Sequence, residues 1–198
     1  MIIIYVVFSV IYNGYNFTIT LDSNLYYDNH LIIYETESYK VYRRQLRPES
    51  LEYFDNMSYK WLPNDINDYE GSHNGPNYFA YSFYIENMGD EIEDYYMEVI
   101  IDDVVKNVDD AIRYRIYFDD EETTYAKISP DTNNAEPGTT PFESDELITK
   151  QHVEKFGPGD KHKYTIVIWL EGSDPECTNN IIGGEFRAHM EFKSEFTN

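Results

Sequence analysis

Residues 77–87, NYFAYSFYIEN, alternate strictly: Phe79, Tyr81, Phe83 and Ile85 fall on one side, Ala80, Ser82 and Tyr84 on the other. Period two is the spacing of a half-buried β-strand. The same grammar returns in DYYMEVIID (94–102), RYRIYF (113–118) and EFRAHMEF (185–192), where Phe186, Ala188, Met190 and Phe192 form the apolar side. HKYTIVIWL (162–170) is apolar on both sides, the mark of a central strand covered above and below. Gly, Asn, Asp and Pro separate these runs, and few segments have helical spacing. The pattern predicts an all-β fold, an antiparallel jelly-roll-like β-sandwich with one or two short helices in the connections.

Several local expectations follow. The runs at 77–87 and 94–102, joined by the turn Asn87-Met88-Gly89-Asp90, are expected to pair with each other. Asp102-Asp103 followed by Val104, Val108, Ala111 and Ile112 predicts a short capped helix. Residues 129–159, punctuated by Pro130, Pro137, Pro141 and Pro158, predict long loops around one short strand near 146–152. In DPECTNNIIGG, Asp174 as N-cap, Pro175 at the first helical position and Gly183 as terminator predict a two-turn helix. Ile181 and Ile182 would anchor it, and it would join the strand ending at Leu170 to the one beginning at Glu185.

The N-terminus reads differently. MIIIYVVFSVIY is uncharged and apolar, too short to span a bilayer as a helix, with no basic residue before it and no small-x-small site after it. Asn13-Gly14 next to the alternating YNFTITL predicts a β-hairpin of about 3–12 and 15–21. A remnant of a secretion signal is the alternative. Residues 1–50 are nearly neutral, with four basic residues against five acidic ones, whereas the whole chain carries −22. That asymmetry divides the chain into a hairpin arm and linker (1–50) and a β-sandwich domain (51–198).

With 15 basic residues against 37 acidic ones, nucleic acid and anionic membrane surfaces are poor partners. Such acidity would suggest disorder, but 20 Tyr, 11 Phe and 2 Trp supply ample buriable area. One cysteine permits no internal disulfide, so the redox compartment is not encoded here.

The order YFAYSFYIENMGDE, a paired strand, GPGDKHKYTIVIWLEGSDPEC and IIGGEFRAHMEF resembles surface and matrix proteins of the TasA/camelysin type from Gram-positive bacteria. It is also similar to secreted proteins of low-GC clostridia that share the Trp-Leu-Glu-Gly and Asp-Pro-Glu-Cys words. The resemblance spans roughly residues 53–193. It implies a jelly-roll domain, export, and a role in extracellular filaments or matrix in which one subunit's N-terminal strand completes its neighbour's sheet.

Motifs for catalysis are missing. There is no H-E-x-x-H, the five histidines (His30, His73, His152, His162, His189) are scattered, and no G-x-S-x-G occurs. Camelysin has been regarded as a protease, but no motif here carries that activity over. Cys177 has no histidine near it in the chain and reads as a small packing residue. GPGD at 157–160 lacks the strand before and helix after that a phosphate loop needs.

Oxygen-rich turns are the remaining chemistry. Glu171, Asp174 and Glu176 share one turn and form a candidate Ca²⁺ site; Asp119 to Glu122 and Asp102-Asp103 are further acidic turns, none with EF-hand spacing. Tyr78, Tyr84, Tyr96 and Tyr117 could present stacking faces to sugars or cover the second face of a sheet. The expectation is a non-enzymatic, secreted or cell-surface structural protein, a filament or biofilm-type matrix subunit forming homo-oligomers through sheet edges, without membrane insertion. The alternative is an extracellular binding module for a glycan or partner protein, with Ca²⁺ as candidate cofactor.

Overall fold

Strand alternation resolves into two facing sheets in the computed structural model, which describes residues 17–51, 53 and 55–194. The strands are β1 (Ile19–Leu21), β2 (Leu31–Tyr34), β3 (Gln45–Leu46), β4 (Gly71–Ser72), β5 (Tyr78–Asn87), β6 (Glu93–Val105), β7 (Ile112–Phe118), β8 (Glu121–Ala126), β9 (Thr140–Pro141), β10 (Leu147–Phe156), β11 (Lys161–Leu170) and β12 (Glu185–Lys193). The first sheet runs β10-β6-β12-β1-β3; the second runs β2-β5-β11-β7-β8-β9, with β4 also on β5. One five-residue helix, α1 (Ser23–Tyr27), is capped by the Asp22 side chain, which accepts from the Leu25 amide at 2.7 Å. Among the described residues no helix is long and apolar enough to cross a membrane.

The alternating apolar sides meet between the sheets. Phe79, Tyr81, Phe83 and Ile85 of β5 face Tyr95, Met97 and Val99 of β6 and Met190 and Phe192 of β12 in one core. Phe83 stacks on Tyr164 at 5.5 Å, and Phe192 meets both rings edge-on at 5.9 and 5.3 Å. Each fully buried ring contributes roughly 2–3 kcal/mol. The Tyr95 and Tyr164 hydroxyls, 3.1 Å apart, satisfy each other across the layers. As the sequence predicts, β11 is central and covered on both sides: Met57, Leu62 and Ile66 pack on its outer residues Val167 and Trp169.

The structure corrects several local expectations. Both sheets are mixed rather than purely antiparallel, because β1 runs parallel to β12 and β9 parallel to β8. The strands at 78–87 and 93–105 do not pair; they lie in opposite sheets. Asn87, fully buried, makes that crossover: its Oδ1 accepts from Gly89 N, and its Nδ2 donates to Glu91 O and Phe156 O. A Cβ on Gly89 would lie 2.8 Å from Asn29 O, so only glycine fits the turn.

No helix forms at 104–112. β12 offers partners up to Val105, so β6 continues through the segment, and consecutive left-handed residues Lys106 and Asn107 then reverse it into a 3₁₀ turn at Val108–Asp110. Val108, Ala111 and Ile112 still reach the core, which is why the spacing looked helical. β10 is a ten-residue strand, longer than the expected 146–152.

The corner after β11 is built from turns, with one 3₁₀ turn at Asn179–Ile181 capped by Thr178. Ile181 is buried as expected, whereas Ile182 is 66% exposed. Of the N-terminal 50 residues, the described part places β1 and β3 in the first sheet and β2 in the second. The predicted hairpin strand at 3–12 and its Asn13-Gly14 turn lie outside the described residues.

Candidate functional site

The outer face of the second sheet carries the polar centre of the molecule. On β7, Arg113 and Arg115 alternate with the core residues Tyr114 and Ile116, so both point outward. Register places Arg113 opposite Trp169 of β11, beneath the corner and the 129–139 loop. Arg113 is consequently only 5% exposed.

A buried guanidinium must be paired. Arg113 Nη2 donates to Asp174 Oδ2 at 2.5 Å and to Glu136 Oε2 at 3.3 Å. Asp174 Oδ1 accepts from Glu176 N at 2.9 Å, and Glu176 Oε1 accepts from Ser129 Oγ at 2.8 Å. Glu136, Asp174 and Glu176 thus bring one carboxylate oxygen each within 4.8 Å of one another, the arrangement a divalent ion could use. Burial, reinforced by the facing Glu176 carboxylate, pushes the Asp174 carboxyl up to about 6; Glu176 is held below its ordinary value by its bond to Asp174.

Of the three acids singled out by sequence, Asp174 and Glu176 enter this cluster and Glu171 does not. Glu171 Oε2 accepts from Trp169 Nε1 and Tyr59 N, both at 3.0 Å, and Oε1 from Ser173 Oγ at 2.7 Å. Burial opposes its charge, but these donors prevail and keep the carboxyl below its usual value. It fastens the 55–61 segment to the corner. Glu136 escaped notice because it comes from a loop 38 positions before Asp174 in the chain. Arg113 carried a signal in principle, a cation on the strand face that neighbouring β11 shows to be covered.

The other acidic turns are engaged locally. Asp119 binds His162 Nδ1 and Lys163 N, both at 2.8 Å; Asp102 binds His189 Nδ1 at 2.8 Å. The candidate stacking tyrosines cover the sheet faces: Tyr84 stacks on Tyr34 at 5.2 Å, Tyr96 on His152 at 4.2 Å, and Tyr78 and Tyr117 pack on the outer apolar cluster. Cys177 packs against the main core, and burial pushes its thiol up.

Above Arg113 and Arg115 lies a cleft of ≈ 660 Å³ between the 136–139 loop, the corner at 173–175 and Tyr59. Arg115 stacks 5.3 Å over Trp169 and is held by Thr124 Oγ1 at 2.8 Å and Glu122 at 3.3 Å.

No known protein family matches the chain, and no curated protein matches it. Among solved structures, a β-glucosidase from Kluyveromyces marxianus in complex with glucose matches at 13% identity, TM-score 0.28. The match covers 81% of this chain and 15% of the enzyme, and at that TM-score it carries no argument about fold or activity.

Proposed function

We propose that the protein is a non-enzymatic, exported structural subunit of jelly-roll type, and that it builds filament or matrix at the cell surface by β-strand addition. The supporting observation is an apolar groove beside β12. β12 lies between β6, which pairs with it from Glu185 to Lys193, and β1, which pairs with Met190 to Phe192.

The groove's apolar lining is Phe17, Leu51, Phe79, Ile168, Phe186 and Ala188. An added strand running beside β12 would place alternate apolar side chains in the groove. The apolar N-terminal segment of a neighbouring copy has the composition to fill it. The TasA/camelysin resemblance points the same way.

The test is a truncation lacking residues 1–16, which spares Ile19 and Leu21, both fully buried. The full chain should polymerise with rising concentration in sedimentation velocity and electron microscopy, and the truncation should remain a folded monomer. Polymers that persist after truncation would sink the idea.

Divalent-cation binding is the second reading, and the Glu136, Asp174 and Glu176 cluster favours it. An all-oxygen donor set suits Ca²⁺, whose ligands lie about 2.3–2.6 Å away, so two ligand atoms can be at most about 5 Å apart. Binding would require Arg113 to yield its contact with Asp174. Ca²⁺ should then raise the melting temperature of the wild type but not of Glu176→Gln, and an unchanged wild-type melting temperature would exclude the site.

A further inference from the structure

We infer that the cleft over Arg115 and Trp169 binds a neutral glycan, independently of any assembly beside β12. Charge narrows the ligand first. The lining holds Arg113 and Arg115 against Glu136, Glu171 and Asp174, so it has no positive excess to attract phosphate, sulfate or a uronic acid. An organic cation finds little free carboxylate either: Glu171 takes Trp169, Tyr59 and Ser173, and Asp174 takes Arg113 and the Glu176 amide.

The remaining chemistry suits a polyhydroxylated, uncharged molecule. Thr124, Ser129, Thr132, Thr139 and Ser173 bring hydroxyls to the lining. Several are fixed before any ligand arrives: Thr124 accepts from Arg115, Thr139 donates to Glu136 O at 2.9 Å, and Ser173 donates to Glu171. Fixed partners reduce the ordering cost of binding.

An aromatic platform completes the site. Tyr59 lines the cleft and is 50% exposed; Trp61, in the same 3₁₀ turn, is 72% exposed. An exposed tryptophan beside a cleft is uncommon on a surface with no partner, and flat rings suit the apolar faces of sugar rings. Backbone bonds from Met57 N to Leu170 O and Gly172 N to Met57 O, with Glu171 on Tyr59 N, hold this turn at the cleft. The ≈ 660 Å³ volume falls within the range of small-molecule clefts.

The two tryptophans of the chain, Trp61 in the turn and Trp169 on the cleft floor, make the test direct. The full-length protein is titrated with hexasaccharides of glucose and of N-acetylglucosamine, and tryptophan emission and calorimetric heat are recorded. At least one should give a saturable change in both, and Tyr59→Ala, in an exposed turn, should weaken it about five-fold or more. In Trp61→Phe the remaining signal comes from Trp169 and should still saturate. If no probe produces saturable heat up to about 10 mM, or if binding survives Tyr59→Ala unchanged, the proposal is overturned.

Discussion

Arg113 shows how one residue can organise a surface. Its partners come from a loop and a corner distant in sequence, and the three meet only because register seats Arg113 beside Trp169. Removing it would strand two mostly buried carboxylates, so Arg113→Ala should lower stability by about 3–5 kcal/mol. Combined with Asp174→Ala, the loss should be smaller than the sum, measured as a double-mutant cycle in urea. An additive cycle would mean that Arg113 does not hold Asp174. The alternation of Arg113 with Tyr114 was readable in the sequence; its burial was not, because burial depends on what covers the second face.

Strand elements were the most legible level, and the reason is visible in β12. Its apolar residues Ala188, Met190 and Phe192 face the core, while His189, Glu191 and Lys193 form a charged row outside. His189 meets Glu191 at 3.3 Å and Asp102 of β6 at 2.8 Å; Lys193 meets Glu98 at 2.9 Å. Glu191, then Asp102, raises the imidazole above its ordinary value, and His189, then Lys193, lowers Glu191 to about 2.

The sign of the pH effect follows from both shifts. The raised His189 stabilises fully below its unfolded value, about 6.5, and less as pH climbs through its folded value. The lowered Glu191 stabilises above its unfolded value near 4.5 and is lost as pH falls toward 2. His189→Ala should therefore cost most near pH 5.5, about 0.5–1 kcal/mol for a partly exposed pair, and little at pH 9. A pH-independent difference in urea midpoint would contradict it. The 104–112 segment shows the limit at this scale: its residues satisfy two periods, and only the partner strand decides between them.

At the scale of the whole molecule, the sequence specified faces but not neighbours. That β5, β7, β11 and β12 are strands, and which of their sides is apolar, could be read from alternation; that β5 and β6 separate into different sheets could not. Strand pairing depends on contacts between remote segments, for which one sequence carries no signal. The deepest such contact joins Ile19 to Met190 through a parallel pair near the two ends of the chain. This pairing also sets a timetable. During synthesis β1 can pair early with β3, but its other side must wait until β12 has appeared. During that interval one side of the early apolar strand is available to chaperones or to other nascent copies, so synthesis of β12 decides when β1 is fully withdrawn from circulation.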